Sequence, residues 1–143
     1  MPRFLRVVTG DAKAVSHGPG LDRALWTCSG TPGRGSSTHY PLCPAGQSVD
    51  RTGEFPSCWN GVDTDSGTHR THVTFPDRSG ACPQGTVAVP RLRITLAYAV
   101  GPARTFAVDS FPAEGRKAVT DHFDFVNVMP ESLMREVVAR INR

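Results

Sequence analysis

Val89-Pro-Arg-Leu-Arg-Ile-Thr-Leu-Ala-Tyr-Ala-Val100 alternates along its length, with Leu92, Ile94, Leu96, Tyr98 and Val100 on one side and Arg91, Arg93, Thr95, Ala97 and Ala99 on the other. Successive side chains of a strand point to opposite faces, so this period of two predicts a half-buried β-strand. Thr105-Phe-Ala-Val-Asp109 is expected to return beside it as a hairpin partner across Gly101-Pro102. Further short strands are predicted at Phe4–Val8, closed by the Thr9-Gly-Asp turn signal, at Ala24–Cys28 and at His122–Val126. A strand near Val73 would bury Val73 and Phe75 and present His72 and Thr74. Leu133, Met134, Val137, Val138 and Ile141 instead recur at helical spacing, which predicts one helix that starts near Pro130 and docks on the sheet. The expected class is mainly β: an antiparallel sandwich or jelly-roll-like sheet with long loops and one C-terminal α-helix.

The chain has 143 residues, enough for one domain over 1–143 that buries about two-thirds of its unfolded surface. Sixteen Lys and Arg oppose thirteen Asp and Glu, a formal +3, and the charges are scattered rather than clustered. A nucleic-acid footprint needs a basic stripe, so no nucleic-acid partner is expected. No apolar run approaches the roughly 18 residues of a membrane span, and the first residues are too briefly apolar for a signal peptide.

Residues 16–47 are rich in Gly and Pro, and a loop of that length in a compact domain needs pinning. Cysteines supply it. Four cysteines allow three pairings, and Cys28–Cys43 with Cys58–Cys82 is preferred because it closes two short, consecutive loops. A zinc site is the competing use of these thiols, but no two have the Cys-x-x-Cys spacing that structural zinc favours. Loop disulfides point to a secreted, extracellular protein, and a removed signal sequence would reconcile them with the start of the chain.

Reactive side chains are densest in Phe55-Pro-Ser-Cys-Trp-Asn-Gly-Val-Asp-Thr-Asp-Ser-Gly-Thr-His-Arg-Thr-His-Val-Thr-Phe-Pro76. Asp63 and Asp65 would lie roughly 6.6 Å apart in an extended segment. Carboxylates about 5–9.5 Å apart serve glycoside hydrolysis, and histidine moves protons near neutral pH. The first functional expectation is therefore acid–base cleavage of a polysaccharide by Asp63, Asp65, His69, His72 and Asp124, with Trp59, Tyr40 and Trp26 as platforms for sugar rings. A second expectation is a divalent transition metal held by His69 and His72 with a carboxylate, His122 arriving from a later strand. A third is a glycan-binding or structural module without catalysis. Asp63 and Asp65 would then bond their own backbone in Asx-turns and Trp59 would be a core residue.

The same stretch carries a resemblance. Phe55-Pro-Ser-Cys-Trp-Asn-Gly and Asp65-Ser-Gly-Thr-His-Arg-Thr-His-Val-Thr-Phe-Pro stand in order with Phe4-Leu-Arg-Val-Val-Thr-Gly-Asp, Trp26-Thr-Cys, Cys43-Pro44, Cys82-Pro83, Val89-Pro-Arg-Leu and His122-Phe-Asp-Phe-Val-Asn127. This pattern resembles a secreted domain of unknown function from filamentous fungi and actinobacteria, sometimes found beside carbohydrate-binding WSC modules. The resemblance implies a disulfide-bearing, mainly β domain linked to polysaccharides by association. It covers only the later part of that family's domain, so a homodimer or a separate N-terminal fragment is expected to cover exposed sheet edge. The chain departs from the pattern at Asn60, where Asp is usual, at Gly67-Thr68, where Pro-Asp is usual, and at Val128-Met129, where Gly-Trp is usual. Loss of that Asp beside His69 removes one natural partner for the imidazole.

Overall fold

The computed structural model describes residues 1–18, 23–31, 34–100, 106–107 and 110–143. The expected hairpin partner at 105–109 lies mostly outside them. Among the described residues, eight strands, β1 (Arg6–Gly10), β2 (Ala24–Cys28), β3 (Val49–Glu54), β4 (Cys58–Trp59), β5 (Val73–Thr74), β6 (Val87–Ala88), β7 (Arg93–Tyr98) and β8 (His122–Val126), alternate with a short helix α1 (Ala14–His17), a 3-10 turn at Pro112–Glu114 and the C-terminal helix α2 (Glu131–Ile141). The fold is mainly β with antiparallel sheets, two disulfides and one C-terminal helix. Strands order as β1-β8, β2-β3-β7 and β5-β4-β6. The contacts divide the chain into two compact units.

The first unit comprises Met1–Val8, Phe55–Leu92 and Asp124–Arg143. Its sheet is small because prolines and glycines punctuate this segment, so Cys58–Trp59 pairs with Val73–Thr74 on one side and Val87–Ala88 on the other. The Cys58–Cys82 disulfide pins it, contributing about 3 kcal/mol by constraining the unfolded chain. Leu5, Phe55 and Cys58 are fully buried, and Phe55 meets Phe125 edge to face at 6.4 Å. Buried Asn127 ties down the start of the chain, donating to the Pro2 carbonyl at 2.9 Å and accepting from the Met129 N–H at 3.1 Å.

The second unit comprises Thr9–Glu54 and Arg93–Phe123. In its sheet Trp26 stands opposite Arg51 and Arg51 opposite Leu96, while Cys28, Val49 and Tyr98 form the next row. Facing partners share a side, so Trp26, Arg51, Leu96 and Tyr98 lie on one face and Leu25, Thr52 and Thr95 on the other. Trp26, Val49 and Ala118 make its core, with Tyr40, Cys43, Val100 and Phe106 packed against them. The indole N–H of Trp26 donates to the Ala118 carbonyl at 2.7 Å, and the Cys28–Cys43 disulfide closes the loop beside it. Buried Glu114 accepts from the backbone N–H groups of Val15 and Ser16 and from the Ser16 hydroxyl. Gly10 is required by geometry: its φ is +84°, and a Cβ there would sit 2.4 Å from the Asp121 carbonyl oxygen.

Four expectations change. The alternating stretch at 89–100 is interrupted because Pro90 has no N–H to pair. Val87–Ala88 serves the first unit and Arg93–Tyr98 the second. On β7 the apolar side is only partly covered, leaving Leu96 43% and Tyr98 41% exposed. The first strand starts two residues later than Phe4, whose φ of 67° is incompatible with an extended chain, and runs through Thr9-Gly10. Helix α2 buries Met134 alone, leaving Leu133 and Ile141 exposed. His72, expected on the open side of its strand, is 2% exposed because its ring is hydrogen-bonded at both nitrogens.

Candidate acid–base site

The site segment is organised from its backbone outward. Asn60 holds the first turn, its side-chain oxygen accepting from the N–H groups of Val62 and Asp63 at 3.0 Å each, while its amide donates to the Asp63 carboxylate at 2.8 Å. The indole N–H of Trp59 donates to the Asp63 carbonyl. Asp63 is thus committed to loop structure, but the Asx turn is made by Asn60, and the Asp63 carboxylate bonds the Asn60 side chain instead of its own backbone. The N–H of Asn60 also donates to the His72 carbonyl at 2.9 Å, which fixes where His72 enters the sheet.

His72 is structural. Its Nε2 lies 2.7 Å from the Arg6 carbonyl oxygen, which can only accept, so this nitrogen carries the proton. Its Nδ1, 2.8 Å from the Ser66 hydroxyl, then accepts. Neither nitrogen is left for a metal or a substrate.

His69 has the opposite character. Its N–H closes a turn on the Ser66 carbonyl at 2.8 Å, and its φ of 57° places a non-glycine residue in the left-handed region, at a cost of about 1–2 kcal/mol. Strain of this kind concentrates where a side chain must be aimed. Here the aim is at Asp65, whose Oδ1 is 2.6 Å from His69 Nδ1 and also accepts from the Ser66 N–H at 2.8 Å. Both side chains are more than a third exposed. With Nδ1–H donating to the carboxylate, Nε2 is left with a free lone pair, and Asp65 stabilises the imidazolium formed when it takes a proton.

The hydrogen bond from His69 is the main reason that the Asp65 carboxyl is held below its ordinary value; the Ser66 N–H and the charges of His69 and Arg6 act in the same direction. A depressed carboxyl pKa stabilises the folded state above the unfolded value and loses that contribution as pH falls through the folded value. A carboxyl carbon NMR titration is therefore expected to give Asp65 a midpoint below the ordinary aspartate range, and His69→Ala to raise it. An unchanged midpoint in His69→Ala would contradict the pairing.

Arg6 is the residue that sequence reasoning missed. Its N–H donates to the Thr64 carbonyl at 2.9 Å, its carbonyl holds His72, its guanidinium lies 3.5 Å from Asp124, and its charge acts on Asp65. Its place in Phe4-Leu-Arg-Val-Val8 was the available signal, since a lone arginine among apolar strand residues needs partners. The structure therefore links Asp65, His69, His72 and Asp124 through Ser66 and Arg6, while Asp63 and Trp59 serve the neighbouring turn. Trp59 also lines an apolar groove with Met134 and Val138 of α2. Trp26 and Tyr40 belong to the core of the second unit. Trp26 is buried there and gives no open platform, and the Tyr40 hydroxyl donates to the Arg116 carbonyl at 3.3 Å. His122 is also in that unit. Among the described residues, no group of three or more His, Cys, Asp or Glu is arranged to hold a metal ion.

A family model described as a domain of unknown function (DUF1996) matches residues 1–128. The chain belongs to this family. The match takes in both disulfides and every residue of the Asp65–His69 pair and its neighbours, and ends before α2. No curated protein and no solved structure matches the chain. Asn60, which stands where the resemblance led us to expect Asp, organises the turn, and the imidazole of His69 finds its partner in Asp65 instead.

Proposed function

We propose that this is a secreted domain that acts on a polysaccharide, with His69 transferring the proton and Asp65 orienting it. The observation that carries the reading is the 2.6 Å contact between Asp65 Oδ1 and His69 Nδ1 at a strained, exposed position. Asp63 has no part in the chemistry, because its carboxylate is held by Asn60. His72 and Ser66 set the loop. Arg6, 3.5 Å from Asp124 and acting on Asp65, offsets part of the cluster's negative charge. Disulfides at both loop systems, and no helix long and apolar enough to cross a membrane among the described residues, support an extracellular setting.

This reading is preferred over the metal-binding one, since His72 spends both ring nitrogens on protein partners. A non-catalytic glycan-binding module is the alternative. A panel of neutral and acidic polysaccharides, followed by reducing-end release and by absorbance of unsaturated products, separates the outcomes. Release of ends without absorbance indicates hydrolysis, both together indicate elimination, and retention on the polymer with neither leaves binding alone. The same reading includes a homodimer or an associated N-terminal fragment, for which exposed Leu133 and Ile141 on α2 offer apolar surface. Light scattering giving a monomer of 15.4 kDa, with no co-purifying fragment, would remove that part.

A further inference from the structure

Of the asparagines Asn60, Asn127 and Asn142, only Asn60 precedes a glycine. In deamidation the amide nitrogen of the following residue attacks the side-chain carbonyl carbon, and a glycine there has no Cβ to crowd the approach. Gly61 is exposed, and its φ of +81° places it in the turn that Asn60 organises. Asn127, by contrast, is 1% exposed and is followed by the β-branched Val128.

The turn also activates the amide. Asn60 Oδ1 accepts from the N–H groups of Val62 and Asp63 at 3.0 Å each, so two fixed donors face the oxygen on which negative charge develops when Cγ is attacked. Paired backbone N–H groups aimed at a developing oxyanion lower the same kind of barrier in acyl transfer. The nitrogen that would leave, Nδ2, donates to Asp63 Oδ2 at 2.8 Å, so its departure removes the tie between the Asn60 and Asp63 side chains.

We propose that Asn60 is a site of covalent self-modification, losing its amide through a succinimide closed with Gly61. The Gly61 nitrogen gives its proton to hydroxide and bonds to Asn60 Cγ. The tetrahedral intermediate expels Nδ2, which leaves as ammonia with a proton from water and so restores the hydroxide. A water molecule then opens the ring at either carbonyl, giving aspartate or isoaspartate. The new carboxylate stands against that of Asp63 where an N–H donor had been, and like charges so close repel. The turn is therefore expected to open, loosening the Asn60 N–H from the His72 carbonyl and the Trp59 indole from the Asp63 carbonyl. This inference does not rest on the proton transfer assigned to His69.

The test is to age the full chain at mildly alkaline pH, folded and, in parallel, reduced and unfolded in guanidinium, and to map its peptides by mass spectrometry. The folded chain is expected to convert Asn60 at least as fast as the unfolded one, to a mixture of aspartate and isoaspartate, while Asn127 and Asn142 persist. Gly61→Ala should slow the conversion several-fold in a protein of unchanged circular dichroism. The aged protein and Asn60→Asp should share a shift in tryptophan emission, because Trp59 is released. The proposal is overturned if Asn60 persists in the folded chain or converts more slowly there than in the unfolded one, if aspartate forms without isoaspartate, or if Gly61→Ala reacts as fast as the wild type. Unchanged emission in Asn60→Asp would overturn the opening of the turn.

Discussion

Arg51→Ala is expected to destabilise the protein by about 3–5 kcal/mol, because it leaves the Asp121 carboxylate in a poorly solvated place without its partner. Arg51 is almost completely buried, makes two hydrogen bonds to Asp121 and lies against the Trp26 ring, so charge, hydrogen bonding and packing are lost together. Urea unfolding measures the effect. The double variant Arg51→Met with Asp121→Leu should recover much of the loss, since removing both charges also removes the desolvation cost. If the double variant were as unstable as the sum of the single ones, the pair would not be the source of the effect.

That pair also shows what a single sequence conceals. The strands Ala24–Cys28 and His122–Val126 and the helix from Glu131 were legible because their signals are local: β-branched or aromatic runs, and apolar residues at helical spacing. The two disulfides were legible because only one pairing closes two short loops in sequence. Arg51 and Asp121 are 70 positions apart, and nothing near either announces the other. The same holds for β7. Alternation gave its two faces correctly, yet it could not show that Leu96 and Tyr98 would border a cavity instead of a filled core.

In the first unit the sequence marked the segment in which Asp65 and His69 pair, but not how its side chains are partnered. Asp65 and His69 meet because a turn at Ser66 folds residues four apart onto each other, which an extended-strand picture of Asp63 and Asp65 does not contain. In sequence His72 reads either as a proton-transfer or ligand residue or as a hydrogen-bonded one. The partners that make it structural are the nearby Ser66 hydroxyl and the carbonyl of Arg6, 66 residues earlier. Burial converts one histidine into a strut, and a left-handed turn leaves the other in solvent with an oriented ring.

The most direct measurement is the rate of product release by His69→Ala on the polysaccharide that the wild-type chain cleaves best, at neutral pH. Loss of a positioned general acid or base costs about 10²–10⁴-fold, so a drop of at least a hundredfold is expected, with the fold retained because His69 is exposed. Asp65→Asn should lose a smaller factor, keeping the imidazole but not its orientation. A wild-type rate in His69→Ala would contradict the account.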